Sequence, residues 1–337
     1  MVRNIILGLV LVVALFFTIG FVLPDKAHVQ RTEQIQAPAS QVFALVNGFR
    51  QFDRWSPWAD KDPQAKVQIS GAPLGVGAHY EWSGNKAVGS GTQEIVASSP
   101  YSEVKTKLVF AGFDQPSYAK FELEPNGAVT RVTWTLDIPL GGNPIGHYFG
   151  MMMDRMIGPD YERGLNKLRG VAESGPKTDF APLDLTVQDL KPQAYAYVSG
   201  SSSTEGDAPA KAVTAAYAKV YAFMNSSSLK QAAQPLAITR KWDPQAKAYE
   251  FDAGIPVDRA DAQGKGDVKI AQTYAGTALK VEYHGPYQNM AATYELIDAY
   301  KKAYALQDNG LSWEQYLNDP AKTPPAQLST DIYVPVK

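Results

Sequence analysis

Cysteine is absent from this chain of 337 residues. Its absence excludes disulfides, thiolate metal sites and cysteine nucleophiles, and leaves the redox compartment unread. Long runs of like charge are missing too: 32 Lys and Arg stand against 34 Asp and Glu, for a net charge of −2. Such a balance carries no electrostatic footprint for nucleic acid. The four histidines, His28, His79, His147 and His284, lack both H-x-x-x-H spacing and the carboxylate spacing of a metal centre. No metal, cofactor or nucleic-acid partner is expected.

What is present is apolar material, 45% of the residues, enough for roughly two domains. The longest apolar run is IILGLVLVVALFFTIGFVL, and a transmembrane anchor is expected over 4–23. As a helix at about 1.5 Å per residue, such a stretch reaches roughly 28 Å, close to the hydrocarbon core of a bilayer. A cleaved signal peptide is the competing reading, but it would carry a shorter apolar region and a small-x-small site, neither of which precedes Pro24. Arg3 and the α-amino group favour an N-terminus inside, so a single-pass membrane protein with its soluble domains on the extracytoplasmic side is expected.

The first soluble unit is expected over 27–175. A strand (VQRTEQIQ) stops at Pro38, and a short helical stretch places Val42, Phe43, Leu45 and Val46 at helical spacing. Strand-like runs follow around 65–70, 76–82, 88–97, 102–111, 117–124 and 128–138, broken by Gly, Pro and Asn. This punctuation suggests one curved antiparallel sheet. A long helix then covers roughly 147–173, with Pro159 as a kink or effective start. Within it Met151, Met152, Met153 and Met156 suit the wall of an adaptable apolar cavity, with ordinary core packing as the alternative. Trp55, Trp58, Trp82 and Trp134 carry the same two readings. The cavity candidates are Met152, Met156, Trp55 and Trp134.

APASQVFALVNGFRQFDRWSPW and DRMIGPDYERGLNKLRGVAE resemble the SRPBCC superfamily of START and polyketide-cyclase-like domains. The resemblance implies a helix gripped by a sheet around an apolar cavity for lipids or other small hydrophobic molecules. Only some members are enzymes.

A linker is expected over 176–188, with Pro and polar residues mixed, and a second unit over 189–337. That unit contains a faint duplication. Val213, Tyr217 and Val220 correspond at one constant offset to Met290, Tyr294 and Ile297, and the endings IPV and VPV coincide. Each copy reads strand, helix, strand, strand, so the two should pair about a pseudo-twofold. The expected fold class is therefore α+β throughout. In the stretch LSWEQYLNDP, Glu314 aligns with Ile238 of the first copy. A carboxylate at a position whose counterpart is apolar either raises its pKa or meets donors or a cation.

VEYHGPYQNMAATYELIDAY, SWEQYLNDP and STDIYVPV resemble the GyrI-like family, the effector-binding domain of AraC-type and MerR-type regulators. The resemblance implies an aromatic cleft in which a strand glutamate binds cationic or polar aromatic molecules; some stand-alone members hydrolyse electrophilic small molecules with that glutamate. It carries over Glu314 as the ligand-binding residue, with Trp313 and Tyr316 as neighbours and Tyr283 on the opposite wall. No helix-turn-helix precedes this unit, so DNA binding is not carried over. Ligand binding is the expected function. Hydrolysis with Glu314 as general acid or base is the alternative.

Overall fold

The N-terminal apolar run forms one uninterrupted helix, α1 (Val2–Val22), almost wholly exposed along its length. The computed structural model describes residues 2–113 and 115–337. The chain divides into two compact units, Met1–Ala181 with Lys302–Ala305, which includes α1, and Pro182–Lys301 with Leu306–Lys337.

The first unit begins with β1 (Lys26–Ile35), α2 (Ala39–Val46), α3 (Phe52–Trp55) and α4 (Pro57–Lys61). Ser56 starts α4, its hydroxyl accepting from the Trp58 amide and Pro57 filling the first position. Strands β2 (Lys66–Gly71), β3 (Ala78–Ser83), β4 (Ser90–Ser99), β5 (Glu103–Phe110), β6 (Ser117–Asn126) and β7 (Val129–Pro139) follow as a meander. All pairs are antiparallel, in the order β1-β7-β6-β5-β4-β3-β2. Alternation explains the core: Ala119, Phe121 and Leu123 of β6 and Val132, Trp134 and Leu136 of β7 point inward and are buried.

Two helices close the unit, α5 (Pro144–Gly150) and α6 (Met153–Glu173). On α6, Tyr161, Leu165, Leu168 and Ala172 form a buried stripe at helical spacing against the sheet. The helix begins six residues before Pro159, which sits inside it on an exposed face, where water can satisfy the carbonyl left without an amide donor. Arg31 of β1 ties the helix down through Nε to Glu162 (2.6 Å) and Nη1 to Asp154 (2.7 Å).

The second unit comprises β8 (Asp184–Leu190), β9 (Ala194–Ser202), α7 (Ala208–Ser227), β10 (Leu236–Asp243), β11 (Ala248–Pro256), β12 (Lys269–Gln272), β13 (Gly276–His284), α8 (Met290–Ala303), β14 (Trp313–Tyr316) and β15 (Ser329–Pro335). Strand β8 occupies the end of the stretch read as linker: its polar residues suit an edge strand, and it pairs only with β13. The sheet order β12-β9-β11-β10-β14-β15-β13-β8 is a palindrome of the two copies. Strands β10 and β14 meet at its centre, and each copy's leading strand, β8 or β12, pairs with the outer strand of the other copy.

Candidate functional site

The four residues of β14 alternate between two environments. Trp313 is buried and stacks on Tyr333 at 4.9 Å, in an apolar cluster with Tyr195, Leu236 and Ile238. Glu314 and Tyr316 point to the opposite face, toward α8. Across the two neighbouring strands Glu314 is flanked by Ala237 and Ile332, both fully buried. The alignment of Glu314 with Ile238 is therefore one residue out. Ile238 pairs with Trp313 and shares its face, whereas Ala237 pairs with Glu314. A slip of one residue in a strand exchanges its faces.

Ala237 and Glu314 lie 77 residues apart, as do Tyr217 and Tyr294, the equivalent tyrosines of α7 and α8. An antiparallel pair whose members are each other's counterparts marks the pseudo-twofold. Glu314 thus stands on the axis, opposite a small alanine.

Its carboxylate oxygens are both occupied by hydroxyls. Tyr294 donates to Oε1 at 2.9 Å and Tyr316 to Oε2 at 2.6 Å. Glu314 keeps part of its surface accessible to solvent. Burial pushes its carboxyl above the ordinary glutamate range, while the two hydroxyl bonds pull the other way. Its charge in turn raises the phenol pKa of Tyr217, Tyr249, Tyr287, Tyr294 and Tyr316, in each case after burial as the larger cause. Tyr294 and Tyr316 touch the acid, and Tyr217, Tyr249 and Tyr287 lie within reach of its charge. Tyr287 meets Tyr316 edge-on at 5.4 Å, and the exposed Trp242 meets Tyr249 at 5.3 Å.

What the site lacks among the described residues is a cation. The unit's other buried carboxylates each have one: Asp252 takes Arg240 at 2.9 Å, and Asp331, on the equivalent strand, takes Lys280 at 3.0 Å. Among the described residues Glu314 has no ion-pair partner. The hydroxyl of Tyr217, counterpart of the tyrosine that binds Glu314, is likewise buried with no hydrogen-bond partner. The arrangement offers a carboxylate held by two tyrosine hydroxyls, a buried donor and, among the described residues, no counter-charge.

Of the residues singled out from sequence, Glu314 and Tyr316 come together. Trp313 lies behind the strand, and Tyr283 spends its hydroxyl on the Pro286 carbonyl at 2.7 Å, closing its own turn. The tyrosines at 217, 249, 287 and 294 join the site although no sequence motif points to them as site residues. A usable signal existed for two of them, because Tyr217 and Tyr294 recur at one offset in both copies.

In the first unit Trp55 and Trp134 line an internal space of about 30 Å³, together with Phe52, Phe121 and Tyr161. A water needs about 10–15 Å³ by this measure, so the space takes one or two. Aromatic packing fills the rest: Trp134 is stacked between Phe121 at 4.9 Å and Tyr161 at 3.8 Å, and its indole N–H is buried without a partner. Met152 and Met156 do not line this space. Both are more than half exposed, beside and at the start of α6, off the stripe that faces the sheet.

No curated protein matches the chain. Similar solved structures include the C-terminal domain of EcmrR (14% identity, covering 46% of this chain and 98% of that one, TM-score 0.39). Others are a hydrolase from Listeria innocua (15%, 45% and 91%, 0.35) and CalU16 from Micromonospora echinospora (16%, 45% and 85%, 0.32). Family comparison matches each unit separately, in agreement with the sheet orders above. Residues 26–173 form a domain of the polyketide cyclase/dehydrase and lipid transport family, and residues 184–337 form a GyrI-like small molecule binding domain.

Proposed function

We propose that this chain is a membrane-anchored binding protein whose second unit takes a cationic aromatic small molecule on Glu314. The observation that carries the proposal is a carboxylate held by two tyrosine hydroxyls, with no protein cation beside it. A ligand cation about 4 Å away, at an effective dielectric near 20, gains roughly 4 kcal/mol before desolvation is subtracted. Tyrosine faces add about 0.5–2 kcal/mol each as cation–π contacts. Helix α1 serves as the anchor, with Arg3 on the inner side and both units outside the cytoplasm.

For the first unit the same reading assigns a small hydrophobic ligand to the space beneath Trp134. At about 30 Å³ that space accepts such a molecule only when the Phe121–Trp134–Tyr161 stack parts.

A second reading, hydrolysis of a small electrophile, is favoured by one feature. An acid with a raised pKa, 2.6 Å from a phenol, has the makings of a general acid or base. One experiment separates the two: a thermal-shift screen of cationic, neutral and anionic aromatics against wild type and Glu314→Gln, with hydrolysis of each compound followed in parallel. Binding predicts that only the cationic compounds lose their stabilising effect in the variant. Retained stabilisation with abolished turnover would instead identify an enzyme.

A further inference from the structure

The methionines that do not line the first unit's interior lie beside an exposed apolar surface. Ile145, Phe149, Met151 and Met152, at the junction of α5 and α6, are between 43% and 60% exposed. Clustered apolar exposure of this kind marks a surface that meets something other than water.

Helix α5 is held against the C-terminal end of α1. His147 Nδ1 bonds the Gly20 carbonyl at 2.7 Å and Nε2 bonds the Gly141 carbonyl at 2.8 Å. Tyr148 donates its hydroxyl to the Phe16 carbonyl at 2.7 Å and stacks on the Phe16 ring at 4.4 Å. Gly20 is needed for this approach, since a Cβ there would lie 2.7 Å from Pro144 Cβ. These contacts fix a depth. Phe16 precedes the end of α1 by six residues, or about 9 Å at 1.5 Å per residue. If α1 spans a bilayer, α5 is carried into its outer margin, the depth of about 5–10 Å at which interfacial helices bury an apolar face.

We infer that the α5–α6 junction lies in the membrane interface, with Ile145, Phe149, Met151 and Met152 among the acyl chains. The Tyr148 and Thr18 hydroxyls at that depth are satisfied, each donating to a carbonyl, Thr18 to that of Ala14 at 2.8 Å. The His147 ring faces a carbonyl at each nitrogen, so it donates to both only as the imidazolium. Tyr148, with an apolar ring and a polar tip, suits an interfacial belt. Asp154, which pairs with Arg31, marks where the chain turns back to water. The first unit is thereby seated on the lipid surface rather than swinging freely on a tether. This inference rests on the anchor reading of α1.

The lack of cysteine makes the test clean. Single nitroxide labels are placed on the full chain at Phe149→Cys, Met152→Cys, Val12→Cys in α1 and Val67→Cys on exposed β2. Each protein is reconstituted into phosphatidylcholine–phosphatidylglycerol vesicles, and collision with oxygen is compared with collision with a nickel chelate. Labels at 149 and 152 are expected to show an oxygen-to-nickel ratio several-fold above that at 67, approaching that at 12. A lipid-like ratio at 12 with water-like ratios at 149 and 152 overturns the inference and leaves the anchor standing. A water-like ratio at 12 overturns both.

Discussion

Ala237 and Glu314 are cross-strand neighbours on the pseudo-twofold of the second unit, so one position of a duplicated framework is methyl on one side and carboxylate on the other. The asymmetry has a pH signature. Burial raises the Glu314 pKa above its unfolded value, so the folded chain retains a proton that the unfolded chain releases. Stability from this group is full below about pH 4.3, the ordinary glutamate value, and is lost as pH rises through the raised value. Calorimetric melting between pH 4 and 8, without ligand, should show wild type losing stability relative to Glu314→Gln as pH increases. Parallel curves would mean that the acid ionises without penalty.

The equivalent tyrosines of α7 and α8 should respond oppositely to loss of the hydroxyl. Tyr294→Phe removes a donor from Glu314 and is expected to destabilise by about 1–2 kcal/mol. Tyr217→Phe removes a buried hydroxyl that bonds nothing, and should be neutral or stabilising by up to about 1 kcal/mol. Urea midpoints of the ligand-free variants decide the matter. Equal losses would show that Tyr217 has a partner in solution.

Two glycines of α6 offer a similar contrast. A Cβ at Gly164 would lie 2.8 Å from the Trp134 ring and 3.1 Å from Pro57, so Gly164→Ala should cost about 1–3 kcal/mol by overpacking. Gly170 is exposed with nothing within 4 Å, and Gly170→Ala should stabilise the helix by up to about 1 kcal/mol. Thermal melting of both variants measures the difference. A tolerant Gly164→Ala would mean that the stack around Trp134 yields easily, and would favour an apolar ligand there.

Much of this architecture could be read from the chain. Alternation in TRVTWTLDIPL announces β7, and the apolar run of α1 announces a spanning-length helix, because burial periodicity is written directly in residue type. The duplication was visible in Val213, Tyr217 and Val220 and their counterparts, since helix phase survives sequence drift. Register was not. Strand β10 carries a bulge between Thr239 and Lys241, and the extra residue there puts an ungapped alignment of the two copies one residue out at Ile238. The Met-rich stretch misled for another reason. Composition marks residues that avoid water, and it does not distinguish a cavity wall from a lipid-facing surface. Tyr249 and Tyr287 reach the Glu314 site through tertiary packing alone, with no local pattern to announce them.

Cation selection by the Glu314 carboxylate is measured by titration calorimetry of the full chain. A quaternary aromatic ammonium and its neutral isostere are titrated into wild type and Glu314→Gln at several pH values. The cation is expected to lose at least about tenfold in affinity in the variant, or about 1.4 kcal/mol. In wild type its binding should strengthen as pH rises through the Glu314 pKa, while the isostere is indifferent to both changes. Equal affinity of the cation for wild type and variant across that pH range would contradict cation selection by Glu314.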